Sequence, residues 1–192
     1  MTSEIIVGLL LGIALSACCG FRVFIPLLVG SIAAKFGWIP LSENFVWMSS
    51  WAAITGFGVA AVLEALAYYI PFVDNLLDTI AAPTAVAAGA LMSASTMLHI
   101  DPTMQWILGL IVGGGTAGVV HAGTSLLRLG STKFTAGTGN AVVNTAEIGT
   151  SLIGSIMAIL MPILVGLLAI VVVGFSLYLV AKKFSKTKVV EQ

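Results

Sequence analysis

The sequence predicts an all-α protein, a polytopic transmembrane helical bundle of about six spans with a broken first helix. Three observations predict it. Of 192 residues, 59% are hydrophobic and only 8% charged, against about 25% charged in an ordinary soluble domain. The mean hydropathy is +1.12. The apolar residues also fall in long runs, near the roughly 20 residues that cross a bilayer core of about 30 Å. A soluble domain would need far more charge to cover its surface, and the same composition excludes disorder. Eight Lys+Arg balance eight Asp+Glu, so neither a nucleic-acid-binding excess nor an acidic solvating tail is present.

The runs cover approximately residues 4–34, 50–70, 79–98, 105–127, 141–160 and 162–181. The first is too long for one straight span at about 1.5 Å per residue, and Gly20, Arg22 and Pro26 lie near its middle. It is expected to break, as a full span followed by a re-entrant or interfacial half-helix, or as one kinked helix. Either form requires protein or water to satisfy the freed backbone groups. Cys18 and Cys19 are adjacent, which excludes a disulfide framework or a spaced zinc site and leaves small packing residues. Leu15-Ser16-Ala17-Cys18 has the form of a lipobox, but the residues before it hold Glu4 and no Lys or Arg, which counts against a signal peptide.

The second run carries Gly56, Ala60 and Glu64 at steps of four. Between it and the third, Pro71 to Asp78 reads as an interfacial helix with Asp74 and Asp78 on one face. The two acids read as a solvated, capping face, or as an interfacial cation site if other loops add oxygen ligands. In the fourth run Gly114, Gly118, His121, Ser125 and Arg128 share a face. Lys133 to Asn140 is a glycine and threonine loop opening the fifth helix, with Thr138 or Asn140 as cap. Arg128 and Lys133, with free backbone donors there, suit an anion such as a lipid phosphate. The fifth run places Asn140, Asn144, Glu147, Ser151 and Ser155 on one face, and Pro162 marks its boundary with the sixth.

Lys182, Lys183, Lys186 and Lys188 follow the last run. Residues 182–192 therefore read as a basic cytoplasmic tail after a transmembrane domain of residues 1–181. Six spans put the N-terminus in the cytoplasm too, in a multi-pass protein of the inner membrane. Arg128 and Lys133 fall on the same side, and Trp38, Trp47, Trp51 and Trp106 near run ends read as interfacial anchors. Three spans in each half is the arrangement from which inverted repeats arise. The halves echo each other in a cation on the first helix (Arg22; His121 and Arg128) and a glutamate on the second (Glu64; Glu147). A shared need for paired charges gives the same pattern. Small residues at four-residue spacing, Gly8 and Gly12, Ala81 to Ser93, Gly109 and Gly113, Gly114 and Gly118, read as packing faces within the protein or a homodimer, or as a backbone-lined pore.

A charge at membrane depth costs about 2.5–3.5 kcal/mol on insertion scales, so each one in a span is a site hypothesis. Arg22, Glu64, His121 and Glu147 qualify, and Asn144 and Ser151 share the Glu147 face, which cannot look at lipid. One reading is a central cavity near the midplane. There Arg22 holds an anionic group or pairs a glutamate, while Glu64, Glu147 and His121 exchange protons or bind a cation. The competing reading is a buried network that fixes the helices. The expected function is a small secondary transporter or channel-like protein for an ion or small solute, homo-oligomeric through its small-residue faces and in contact with membrane lipids. The alternatives are a lipid-phosphate-binding or lipid-translocating protein, and a structural membrane subunit without ligand. No HExxH, GxSxG, dinucleotide fingerprint or CxxC occurs, so no enzyme chemistry, metal or cofactor is indicated.

Four segments together carry a resemblance: Ala17-Cys18-Cys19-Gly20-Phe21-Arg22-Val23-Phe24-Ile25-Pro26-Leu27-Leu28, Pro71 to Asp78, Gly113 to Gly123, and Asn140 to Glu147. In that order they resemble a family of small bacterial membrane proteins known as domain of unknown function 4126. The resemblance spans most of the chain and implies a polytopic membrane protein with no established activity. Family members often have a second acid after the residue matching Glu147. Here Ile148 follows, which counts against a carboxylate-pair mechanism at that position.

Overall fold

The structure, a computed structural model, describes the backbone of residues 2–69, 71–135 and 139–190. Within these, the side chains at 2, 71–79, 132–135, 140 and 179–190 lie outside the described part. Among the described residues there are eight α-helices and no strand: α1 (Thr2–Phe21), α2 (Phe24–Lys35), α3 (Trp51–Ala67), α4 (Pro71–Thr96), α5 (Pro102–Leu108), α6 (Gly115–Thr135), α7 (Asn140–Leu160) and α8 (Pro162–Val190). A 3-10 segment, Glu43–Ser49, precedes α3, and a π-helical segment, Gly109–Gly114, joins α5 to α6. Among the described residues, three helices are long and apolar enough to cross a membrane: Ser3–Phe21, the continuous Pro102–Ser131, and Ala141–Leu160. A fourth span results if the 3-10 segment and α3, bent by 63°, are counted together. Phe24–Lys35, Ile80–Thr96 and Pro162–Tyr178 are shorter apolar helices.

The first run breaks between Phe21 and Phe24, and backbone hydrogen bonding explains why. Pro26 has no N–H, so the Arg22 carbonyl four residues earlier loses its helical donor. Ser151 Oγ on α7 faces this gap, its one hydrogen shared between the Cys18 carbonyl at 3.1 Å and, more weakly, the Arg22 carbonyl at 3.5 Å. On the other side of the break the free N–H groups of Val23 and Phe24 donate to the two carboxylate oxygens of Glu64, at 2.9 and 3.1 Å. An acceptor of this charge suits a helix N-terminus. The outcome is a 20-residue helix followed by a separate 12-residue one. At its far end α2 stops at Gly37, whose φ of +72° is costly for residues with a Cβ.

α1 is the central element. Its Ala14, Leu15, Ser16 and Cys19 are fully buried, and α4, α6, α7 and α8 pack around it. The small residues let these backbones approach. A Cβ on Gly20 would stand 2.5 Å from the Val120 side chain, and one on Gly89 would stand 2.6 Å from the Gly113 carbonyl. Gly12 meets Ser93 and Thr96, while Gly114 and Gly118 meet Val86. These stripes thus pack against partners inside the chain.

Three boundaries differ from the sequence reading. Pro71 to Asp78 is the first part of α4 rather than a separate interfacial helix, because Pro71 at the first helical position starts the helix and nothing stops it before Thr96. The fourth run extends past 127 to Thr135. Hydropathy falls at Arg128, but the helix continues since that residue has a partner in the interior. α8 likewise continues through Val190, beyond the expected boundary at 181. Pro162 does open α8, as expected.

Candidate functional site

The break in the first run lies beside the one place where buried charges gather among the described residues. Arg22, at the end of α1, is 1% exposed. Its Nη2 donates to Glu147 Oε2 at 3.0 Å and to Asn144 Oδ1, both on α7. Arg128 on α6 approaches the same carboxylate from another side, with Nε donating to Oε1 at 3.0 Å and Nη2 to Oε2. One carboxylate thus joins α1, α6 and α7 through two guanidiniums, and all three side chains are buried.

Tyr68, the residue that caps α3, completes the centre. The Arg22 guanidinium lies 3.9 Å from its ring centroid and that of Arg128 lies 4.5 Å away. These are cation–π distances, worth about 2 kcal/mol when desolvated. Arg22 Nε and Nη1 and Asn144 Nδ2 make no hydrogen bond in the structure. The ring therefore faces a guanidinium whose edges are incompletely satisfied.

Glu64, four residues before Tyr68, stands apart from this pairing. Its oxygens hold the α2 N-terminus as described, and the charges of Arg22 and Arg128 act on it at longer range. Where Glu147 is sealed, Glu64 is half-buried. It borders a cleft of about 350 Å³ between the start of α2, α3 and α4. Tyr68 lies in the same wall, and neither arginine lines the cleft.

The other residues singled out by the sequence are placed as follows. Ser151 is fully buried and serves the broken backbone. His121 is buried, its Nε2 3.5 Å from Ser125 Oγ one turn along α6. Arg128, read with Lys133 as a phosphate ligand at the membrane surface, is turned inward to Glu147. The side chains of Asp74, Asp78, Lys133 and Asn140, and the whole of Gly137 and Thr138, lie outside the described residues. Among the described residues no group of three or more His, Cys, Asp or Glu side chains is placed to hold a metal ion. Tyr68 was missed by the sequence reading, although it extends the Gly56, Ala60, Glu64 stripe by one further step of four.

The family described as domain of unknown function (DUF4126) matches residues 9–182, and the chain belongs to it. No curated protein and no solved structure shows a match.

Proposed function

We propose that this member of the domain of unknown function 4126 family is a small secondary transporter of the inner membrane. It crosses six times, with both termini in the cytoplasm, and its coupling groups are Glu64 and Glu147. One observation carries the reading. Two guanidiniums from different helices share a single buried carboxylate at the point where the first helix is broken. Because one carboxylate is shared by two cations from different helices, the state of Glu147 bears on all three helices at once. A proton on Glu147 leaves Arg22 and Arg128 facing each other around Tyr68 without their shared counter-ion. Their repulsion then favours separation of α6 from the α1 end. Glu64 and the discontinuous first helix lie beside that junction, as half-helix termini do around transporter sites.

The test is whether the sealed centre opens to water. Ser151 is fully buried next to the break, and cysteine is close to serine in size. Ser151→Cys is placed in a background with Cys18→Ser and Cys19→Ser, and a membrane-impermeant maleimide is applied from each side of sealed vesicles. Glu147→Gln, which holds the side chain in a protonated-like state, is compared in the same background. Transport predicts labelling from at least one side, and faster labelling in Glu147→Gln. Absence of labelling from both sides in both forms, with normal accumulation, would identify a sealed structural network and overturn the proposal.

A further inference from the structure

We infer that the cleft beside Glu64 binds a lipophilic organic cation, entering from the bilayer between α3 and α4. The inference rests on the transporter reading and names its substrate class.

The lining selects that class. The cleft, about 350 Å³, lies within the roughly 300–1,000 Å³ of small-molecule sites. Its rim residues Leu63 and Ile80 are exposed, which in a membrane places the mouth against lipid. Among the described residues, the wall is apolar apart from Glu64, Tyr68 and Thr84. The Thr84 hydroxyl already donates to the Ile80 carbonyl at 2.7 Å. A ligand that needs several hydrogen bonds, such as a sugar or a zwitterionic amino acid, finds too few partners here. A quaternary or charge-delocalised cation needs none. What remains for it is apolar surface, the Phe24 and Tyr68 side chains in the wall, and one half-buried carboxylate with only acceptor atoms.

The two arginines behind Tyr68 fit this choice when the local charge is followed through a cycle. Among the described residues, the ionisable side chains around Glu64 are Cys19 on α1, Arg22 at its end, Arg128 on α6, Glu147 on α7 and Tyr68 on α3, the thiol and the phenol being uncharged. With Glu64 ionised and the cleft empty, the two arginines and two glutamates balance. With Glu64 protonated the cluster carries a single positive charge. An organic cation seated on ionised Glu64 gives the same single positive charge. Exchange is therefore protonated Glu64 plus external cation giving ionised Glu64 with bound cation plus a released proton, and no buried charge changes. An anion in the cleft would instead lie against the carboxylate, since Glu64 and Tyr68 line the wall and neither arginine does.

The test uses two probes of one shape and opposite charge, tetraphenylphosphonium and tetraphenylborate. Each is titrated calorimetrically against the purified protein in phosphatidylcholine nanodiscs, with empty nanodiscs as blank. Saturable phosphonium binding is expected, weakened about tenfold or more by acidification, by Glu64→Gln and by Ala60→Phe, which fills the cleft without touching a charge. Tetraphenylborate is expected to show only blank behaviour. Equal or tighter borate binding would assign the cleft to anionic amphiphiles such as lipids and overturn the inference. Absence of phosphonium binding, or binding unchanged in Ala60→Phe, would overturn it too. If Glu64→Gln does not fold, Ala60→Phe alone decides. Loss of this inference alongside normal Ser151→Cys labelling would leave the transporter reading standing.

Discussion

Glu147 and Glu64 are the same residue on two apolar helices, and the protein holds them by opposite means. Glu147 is sealed and answered by side chains, the guanidiniums of Arg22 beside α1 and of Arg128 on α6. Glu64 is half-buried and answered by backbone, the two free N–H groups at the start of α2. The first arrangement cannot lose its carboxylate without stranding two buried cations. The second can, because the groups it answers are uncharged backbone N–H groups rather than buried cations. A carboxylate held by side chains therefore controls assembly, and one held by backbone beside open space is the better place for exchange with a ligand.

The contrast is open to breakage at four positions, from the largest effect down. Glu147→Ala should cost about 3–5 kcal/mol, the usual result of removing one partner of a buried ion pair. It should be seen as loss of accumulation, or as early aggregation when detergent-solubilised protein is heated before gel filtration. A form that melts like wild type would show that the two arginines find other partners. Arg128→Lys keeps the charge but loses the two-pronged grip on Glu147. A drop of about 1.5–3 kcal/mol is expected, read as a lower midpoint in the same thermal assay.

Glu64→Ala should be milder, about 0.5–2 kcal/mol, as for removal of a helix N-cap. Hydrogen exchange of the Val23 and Phe24 amides should rise while α7 amides stay protected. If α7 also loses protection, the two carboxylates act as one unit and the distinction drawn between them fails. Tyr68→Phe keeps the ring that faces both guanidiniums and removes the hydroxyl, which hydrogen-bonds Arg128. It should cost about 1.5 kcal/mol, the lower end for a hydrogen bond to a charged group, read as a lower melting midpoint. A larger loss would make the hydroxyl, rather than the ring, the group that matters to the centre.

Much of this contrast was written along the chain. The spacing of Asn144, Glu147, Ser151 and Ser155 predicts one inward face, and all four are buried. Gly20, Arg22 and Pro26 predict the break, since a proline without N–H leaves the carbonyl four residues earlier without its helical donor. The partners were a different matter. The sequence left Arg22 free to pair with either glutamate, and it placed Arg128 at the membrane surface, because hydropathy sees a cation only as the end of an apolar run. Tyr68 stood out by nothing except its step of four from Glu64, since an aromatic near a helix end reads equally well as an interfacial anchor.

Composition by itself determined that the chain is built of apolar helices, because hydrogen-bonding every backbone group in a hydrocarbon setting leaves a helix as the available local solution for runs of this length. Periodicity determined which faces turn inward, through the fixed 3.6-residue turn. Only the tertiary structure decided which charge meets which. Arg22 and Glu147 are 125 residues apart and Glu64 lies 40 and 41 residues from the amides it caps. Such pairings depend on how α4, α6, α7 and α8 pack around α1, through contacts of glycine, alanine and serine that carry almost no signal of their own in a chain so rich in them.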